Sequence, residues 1–164
     1  MRLIVLAALF ASATATAVAQ TVPPGYTAFD AAQQAKLRAD VGTWRCTSVP
    51  AGSPVTVVEA EQGNWFVARS TGGDSRTTYE RWSHALQAYI LVSVFDSGAS
   101  DVEQSASADP DNGTWTPKWP PLDNQGRKRF DIAVSRSGDT LRSSTHFYDT
   151  RGNVQSATTT CVKQ

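Results

Sequence analysis

Residues 79–96 read YERWSHALQAYILVSVFD, and this stretch decides the fold class. Its second half, Tyr89 to Phe95, is a run of β-branched and aromatic residues entered from a polar turn at Ser83-His84 and ended at Gly98. Residues of these types favour strands, and the flanking turn residues fix its length. The same punctuation continues in both directions. Upstream it falls at Gly52, Gly63 and Gly72-Gly73; downstream at Asn112-Gly113, Asn124 to Gly126, Gly138 and Gly152-Asn153. Nine turns imply ten strands. Between them lie β-type runs such as Val55 to Val58, Trp65 to Ala68, Phe130 to Val134 and Thr158 to Val162. A spacing of about 8 to 14 residues with short turns predicts consecutive antiparallel strands, hence a barrel or a sandwich and not βαβ units.

Alternation is clearest where Phe130, Ile132 and Val134 share one face opposite Asp131, Ala133 and Ser135, which gives that strand one wet side. Tyr89 to Phe95 is apolar on both faces, so periodicity does not say which side turns inward. Ahead of the strands, Thr27 and Asp30 have the form of a capping box, and Ala31 to Ala39 is rich in helix formers. One short helix is expected there.

The amino terminus is of a different kind. Met1-Arg2, an apolar core from Leu3 to Ala11, and small residues ending in Ala17-Val18-Ala19 form a secretory signal peptide with cleavage near Ala19. The apolar core is about half of what a membrane span needs. No cysteine stands immediately after the cleavage site, the first being Cys46, so no lipid anchor is expected; the mature chain is expected to be secreted or periplasmic. Residues 20–26 are a Pro-rich lead-in, and 27–164 form a single domain long enough to bury a core. Fifteen basic and fifteen acidic residues balance, with no basic cluster to track a phosphate backbone, so nucleic acid is not an expected partner.

Two cysteines in an exported chain read as one disulfide. Cys46 lies in the first expected strand and Cys161 in the last, so the bridge joins the two ends of the sheet, which favours a barrel over a sandwich. No metal framework can be built from two cysteines and two distant histidines, and no metal or cofactor is expected.

Gly42-Thr43-Trp44 opens the first strand directly after the short helix. A glycine there permits a tight turn, and the indole can plug the narrow end of a barrel. With this motif the chain resembles the calycin group: lipocalins, fatty-acid-binding proteins and nitrobindin-like barrels. The layout of VGTWRC at 41–46 and YERWSHALQAYILVSVFD at 79–96 is similar to that of a group of uncharacterised secreted bacterial proteins with a lipocalin-like barrel. The resemblance spans residues 27–163 and implies an up-and-down barrel with a small-molecule cavity. There are departures. The T-D-Y element of lipocalins is missing, and ten strands suit a nitrobindin-like barrel better than the eight of a lipocalin. Where nitrobindins carry a haem-ligating histidine, this chain has Val154-Gln155-Ser156. Haem chemistry is therefore not implied.

Candidate chemistry is sparse. His84 falls in a turn. His146 shares a strand face with Arg142, Ser144 and Tyr148, a face that is either solvated or a polar pocket wall; in a pocket, His146 could act as a base. Acids at i, i+2 (Glu59/Glu61 and Asp101/Glu103) place each pair on one strand face, where they could do hydrolytic work or simply face solvent. Asp109 to Gly126, with two Trp and four Pro, is expected to be irregular: an aromatic lid, or an Asn-Gly hairpin followed by an edge segment. Asn112-Gly113-Thr114 also has the form of a glycosylation sequon, but the Asn-Gly turn accounts for it without sugar. Trp65, Trp82, Trp115, Trp119 and Tyr148 are candidate ligand contacts. The expected function is binding of a small hydrophobic or amphipathic molecule, the alternatives being an enzyme acting in the cavity or an envelope scaffold with a filled core.

Overall fold

A computed structural model describes residues 25, 27–50, 52–73, 75–120, 128–148 and 151–164. The export signal, all of the lead-in except Gly25, and the Asn124 to Gly126 turn lie outside these residues. The expected helix is α1 (Ala28–Lys36), continued by a short 3-10 turn at Leu37–Ala39. Its start is set by the capping box: Asp30 N donates to Thr27 Oγ1 (3.2 Å) while Thr27 N donates to Asp30 Oδ2 (2.7 Å).

Ten strands follow: β1 (Gly42–Val49), β2 (Val55–Gln62), β3 (Trp65–Thr71), β4 (Arg76–Ser83), β5 (Ala88–Phe95), β6 (Ser100–Ser105), β7 (Gly113–Trp119), β8 (Lys128–Ser137), β9 (Thr140–Tyr148) and β10 (Val154–Lys163). Each pairs antiparallel with its neighbours in sequence, and β1 pairs with β10, so the meander closes into a barrel with no free edge. Where an irregular segment was expected over residues 109–126, β7 occupies Gly113–Trp119. The Asn112-Gly113 pair does not make a tight hairpin. Asn112 Oδ1 instead accepts from Arg136 N (2.9 Å), and Gly113 is already in the strand.

The seam between β1 and β10 aligns Cys46 with Cys161, which form the expected disulfide across 115 residues of chain. In the chain-entropy account, a loop of that length contributes about 4 to 5 kcal/mol by restricting the unfolded state. Ladder register then carries the inner face around the barrel. Trp44 faces Val57, Glu59 faces Ala68, Phe66 faces Glu80, and Trp82 faces Tyr89. Further round, Leu91 faces Glu103, and Val134 and Arg136 face Ser143 and Leu141.

The two ends of this interior differ. At the helix end Leu37, Phe66, Trp82, Tyr89 and Trp115 form a buried cluster, with Val41, Leu91, Ile132 and Val134 against it. Trp82 and Tyr89 meet edge to face with centroids 5.0 Å apart. Full burial of side chains this large is worth about 1.5–3 kcal/mol each. Hydrogen bonds pin α1 over this plug. Trp82 Nε1 donates to Asp30 Oδ1 (2.7 Å), Trp82 N donates to Gln34 Oε1 (2.7 Å), and Tyr89 Oη donates to Gln33 Oε1 (2.8 Å). Towards the other end Ser93 and Asp101 are still buried, but several inward residues are only half-buried, among them Val55, Ser143, Thr145, Ala157 and Thr159. One end is therefore filled, and the other leaves inward side chains in contact with solvent.

Candidate functional site

Gly42, at the mouth of the first strand, has φ +142°, a backbone conformation that L side chains rarely adopt. The chain turns there from Asp40 into β1, and Trp44, two residues on, is 3% exposed with its Nε1 donating to Asp40 O (2.7 Å). Two cations lie on the indole. Arg136 Cζ is 5.0 Å and Lys163 Nζ 5.3 Å from the ring centroid. Lys163 Nζ also donates to Ala39 O (2.8 Å). Trp44 is thus a buried indole with two cations against its ring, both of which also donate to Ala39 O.

Directly beside it the interior is acidic. Arg136 Nε pairs with Asp111 Oδ2 (2.6 Å), and Arg136 Nη2 pairs with Asp40. One guanidinium serves two buried carboxylates. Glu59, on β2 beside Gly42, and Glu80, on β4 between Thr78 and Trp82, stand near Asp40, and one carboxyl oxygen from each of the three lies within 4.8 Å of the others. No hydrogen bond is made to the Glu59 or Glu80 carboxyl among the described residues, and Glu59 Oε1 is shut off from solvent. Glu103 and Asp101 continue the acidic wall on β6, both buried. Three carboxylates at this spacing can hold a proton between them, receive an ammonium group or touch one metal cation.

Charge follows from this geometry. Burial raises the Asp40 carboxyl, and the neighbouring Asp111 adds to the effect, taking it to about 7 against the pull of Arg136. Burial and then the charges of Asp40 and Asp111 push Glu59 up to about 8. Burial likewise holds Glu80 well above the usual carboxylate range, with Glu59 as its strongest charged opponent. Tyr89 is raised above an ordinary phenol, chiefly by burial. Asp30 moves the other way. Burial alone would raise it, but hydrogen bonds from Thr27, Trp82 and His84 Nδ1 (2.9 Å) hold it well below the usual range.

The candidates read from sequence separate clearly on this frame. Both acid pairs, Glu59/Glu61 and Asp101/Glu103, turn inward and not to open solvent; Glu61 pairs with Arg38 of the 3-10 turn (2.9 Å) at the plugged end. Trp82 and Trp115 line the plug, with Trp115 Nε1 donating to Pro110 O (3.0 Å). Trp65 lies on the outer face, edge-on to Tyr79 and under Arg81, and Trp119 is 55% exposed at the end of β7. His146 is on the outer face, because its neighbour Thr145 aligns with the core residue Ile132; it is exposed and bonded to Ser156 Oγ (2.9 Å). Tyr148 shares that outer face. His146 is therefore not brought to the interior acids.

Asp40, Glu80, Asp111 and Arg136 escaped the sequence reading. Arg136 had a usable signal, since it continues at i+2 the inward face of Ile132 and Val134. Glu80 stands two residues from Trp82 on the same face. No protein-family model and no curated protein matches this chain. The fold alone therefore gives the class: a closed ten-stranded meander barrel, plugged at one end by a helix.

Proposed function

We propose that the protein is an exported carrier that takes a small amphipathic molecule into its barrel, in the manner of the calycin barrels it resembles. The observation that supports this reading best is the asymmetry of the interior. One end is filled by Trp82, Tyr89, Trp115 and Leu37, while Val55, Ser143, Thr145, Ala157 and Thr159 face inward at the other and stay half-exposed. A scaffold filled by its own side chains would bury that face throughout. Acids at the floor favour an amphipathic ligand over a purely hydrophobic one, because a wholly apolar molecule would bring no donor to Glu59 Oε1, which is buried without a hydrogen bond. A disulfide in an oxidising compartment is consistent with export, and no helix among the described residues is long and apolar enough to cross a membrane.

Titration with fatty acids, sterols, quinones and alkyl amines, followed by Trp fluorescence, tests the proposal. Trp44, Trp82 and Trp115 border the interior, so entry of a ligand should change emission saturably, with micromolar affinity corresponding to about −8 kcal/mol. If no member of the panel gives saturation, the carrier reading falls.

A further inference from the structure

We infer that the molecule carried in the barrel presents a cationic end, an organic ammonium whose N–H groups rest on Glu59, Glu80 and Asp40 while its apolar body extends towards the half-exposed end. This inference rests on the carrier reading and deepens it. Its first support is the accounting of partners at the floor. Arg136 is taken by Asp40 and Asp111, and Lys163 by Ala39 O and the Trp44 ring. Glu59 and Glu80 receive no hydrogen bond among the described residues, and Glu59 Oε1 is out of reach of solvent. Buried acceptors without donors are costly, and a binding protein holds them where a ligand brings the donors.

The second support is fit. An ammonium has three donors and needs three acceptors about 2.8 Å away, a set that carboxyl oxygens within 4.8 Å of one another can supply. A calcium ion takes six to eight oxygen ligands. Here three carboxyls converge, and one of them already faces a guanidinium. The surrounding walls, Phe66, Leu91 and Trp44, suit an alkyl or aromatic body. The titratable and charged groups facing this floor are Asp40, Glu59, Glu80, Glu103 and Asp111 with Arg136 and Lys163, and burial raises Glu59 to about 8, so in the empty barrel its carboxyl holds a proton near neutrality. An entering ammonium takes the place of that proton, so binding releases it.

Calorimetric titration of the purified protein at pH 7.5 with octylammonium, octanol and octanoate tests this, with calcium, magnesium and zinc chlorides as separate arms. Octylammonium is expected to bind at least about tenfold more tightly than octanol or octanoate, about 1.4 kcal/mol. Its heat should differ between phosphate and Tris buffers by the proton release. Glu80→Gln and Glu59→Gln should each weaken octylammonium about tenfold or more and leave octanol unchanged. Their melting temperatures, expected at or above the parent's, separate lost binding from lost folding. If octanol or octanoate binds as tightly as the amine, the cationic end is wrong and the carrier reading survives. If a metal chloride binds at the floor and the amine does not, an inorganic cation belongs there and the inference is overturned. If nothing enters the barrel, both readings fall together.

Discussion

Replacing Glu59 by Gln should stabilise the protein, and the gain should depend on pH in a way the geometry dictates. Glu59 has an ordinary carboxyl value of 4.5 when unfolded and about 8 when folded, because burial and the nearby Asp40 and Asp111 disfavour its charge. A folded value above the unfolded one means that the native state binds the proton more tightly, so stability is greatest in acid and falls as pH rises from about 4.5 to about 8. Each unit in that window costs about 1.4 kcal/mol, which amounts to about 3 kcal/mol at pH 7 and about 4 to 5 kcal/mol above pH 8. Gln fills nearly the same volume without titrating. Glu59→Gln should therefore match the parent near pH 4.5, exceed it by about 3 kcal/mol at pH 7, and exceed it further at pH 9. Urea unfolding at these three values, followed by Trp fluorescence, measures the difference. A parent whose stability is flat from pH 5 to 9, or a variant weakened equally at every pH, would refute the reasoning.

Three other outcomes follow from the structure. Replacing both Cys46 and Cys161 by Ser should cost about 4 to 5 kcal/mol in denaturant unfolding, and the parent's intact mass should rise by about two hydrogens on reduction. Trp44→Ala, which removes a buried indole and the ring against which Arg136 and Lys163 rest, should cost about 3 to 5 kcal/mol; a loss below about 1 kcal/mol would show that the indole does not plug the barrel. Tyr89→Phe removes the hydroxyl that ties Gln33 of α1 to the barrel, leaving Gln33 Oε1 only Lys36 of its own helix as donor, and should cost about 1 to 2 kcal/mol, with hydrogen exchange in α1 accelerating as the helix loosens from the barrel end.

The order of strands was legible because glycine and asparagine mark nearly every turn, and the bridge was legible because the two cysteines stand in the strands that meet at the seam. Strand β7 was hidden. Pro117 and the Trp residues around it read as irregular chain, yet Pro117 takes its place in the ladder beside Glu103, where the register shifts. The acids show a deeper limit. A period of two tells which residues share a face but not which face is inside, so Glu59/Glu61 and Asp101/Glu103 read equally well as solvated. Only barrel closure turns them inward. His146 illustrates the converse: its polar face follows from the alternation, but its place outside is set by Thr145 aligning with Ile132 across the β8–β9 ladder. Asp40 and Asp111 lie outside the strands and converge on Arg136 from far along the chain, a meeting no local pattern encodes.

The central claim, that the half-exposed end opens into a chamber that holds one small molecule, is tested most directly by filling that end. Ala157 faces inward across from Thr145, so Ala157→Trp places an indole in the entrance. The measurement is stoichiometric binding of an environment-sensitive apolar dye to the parent and to this variant, each checked for an unchanged strand spectrum. The account predicts saturable one-to-one binding by the parent and its loss in Ala157→Trp. Equal binding by both proteins would place the dye on the outer surface and contradict the chamber.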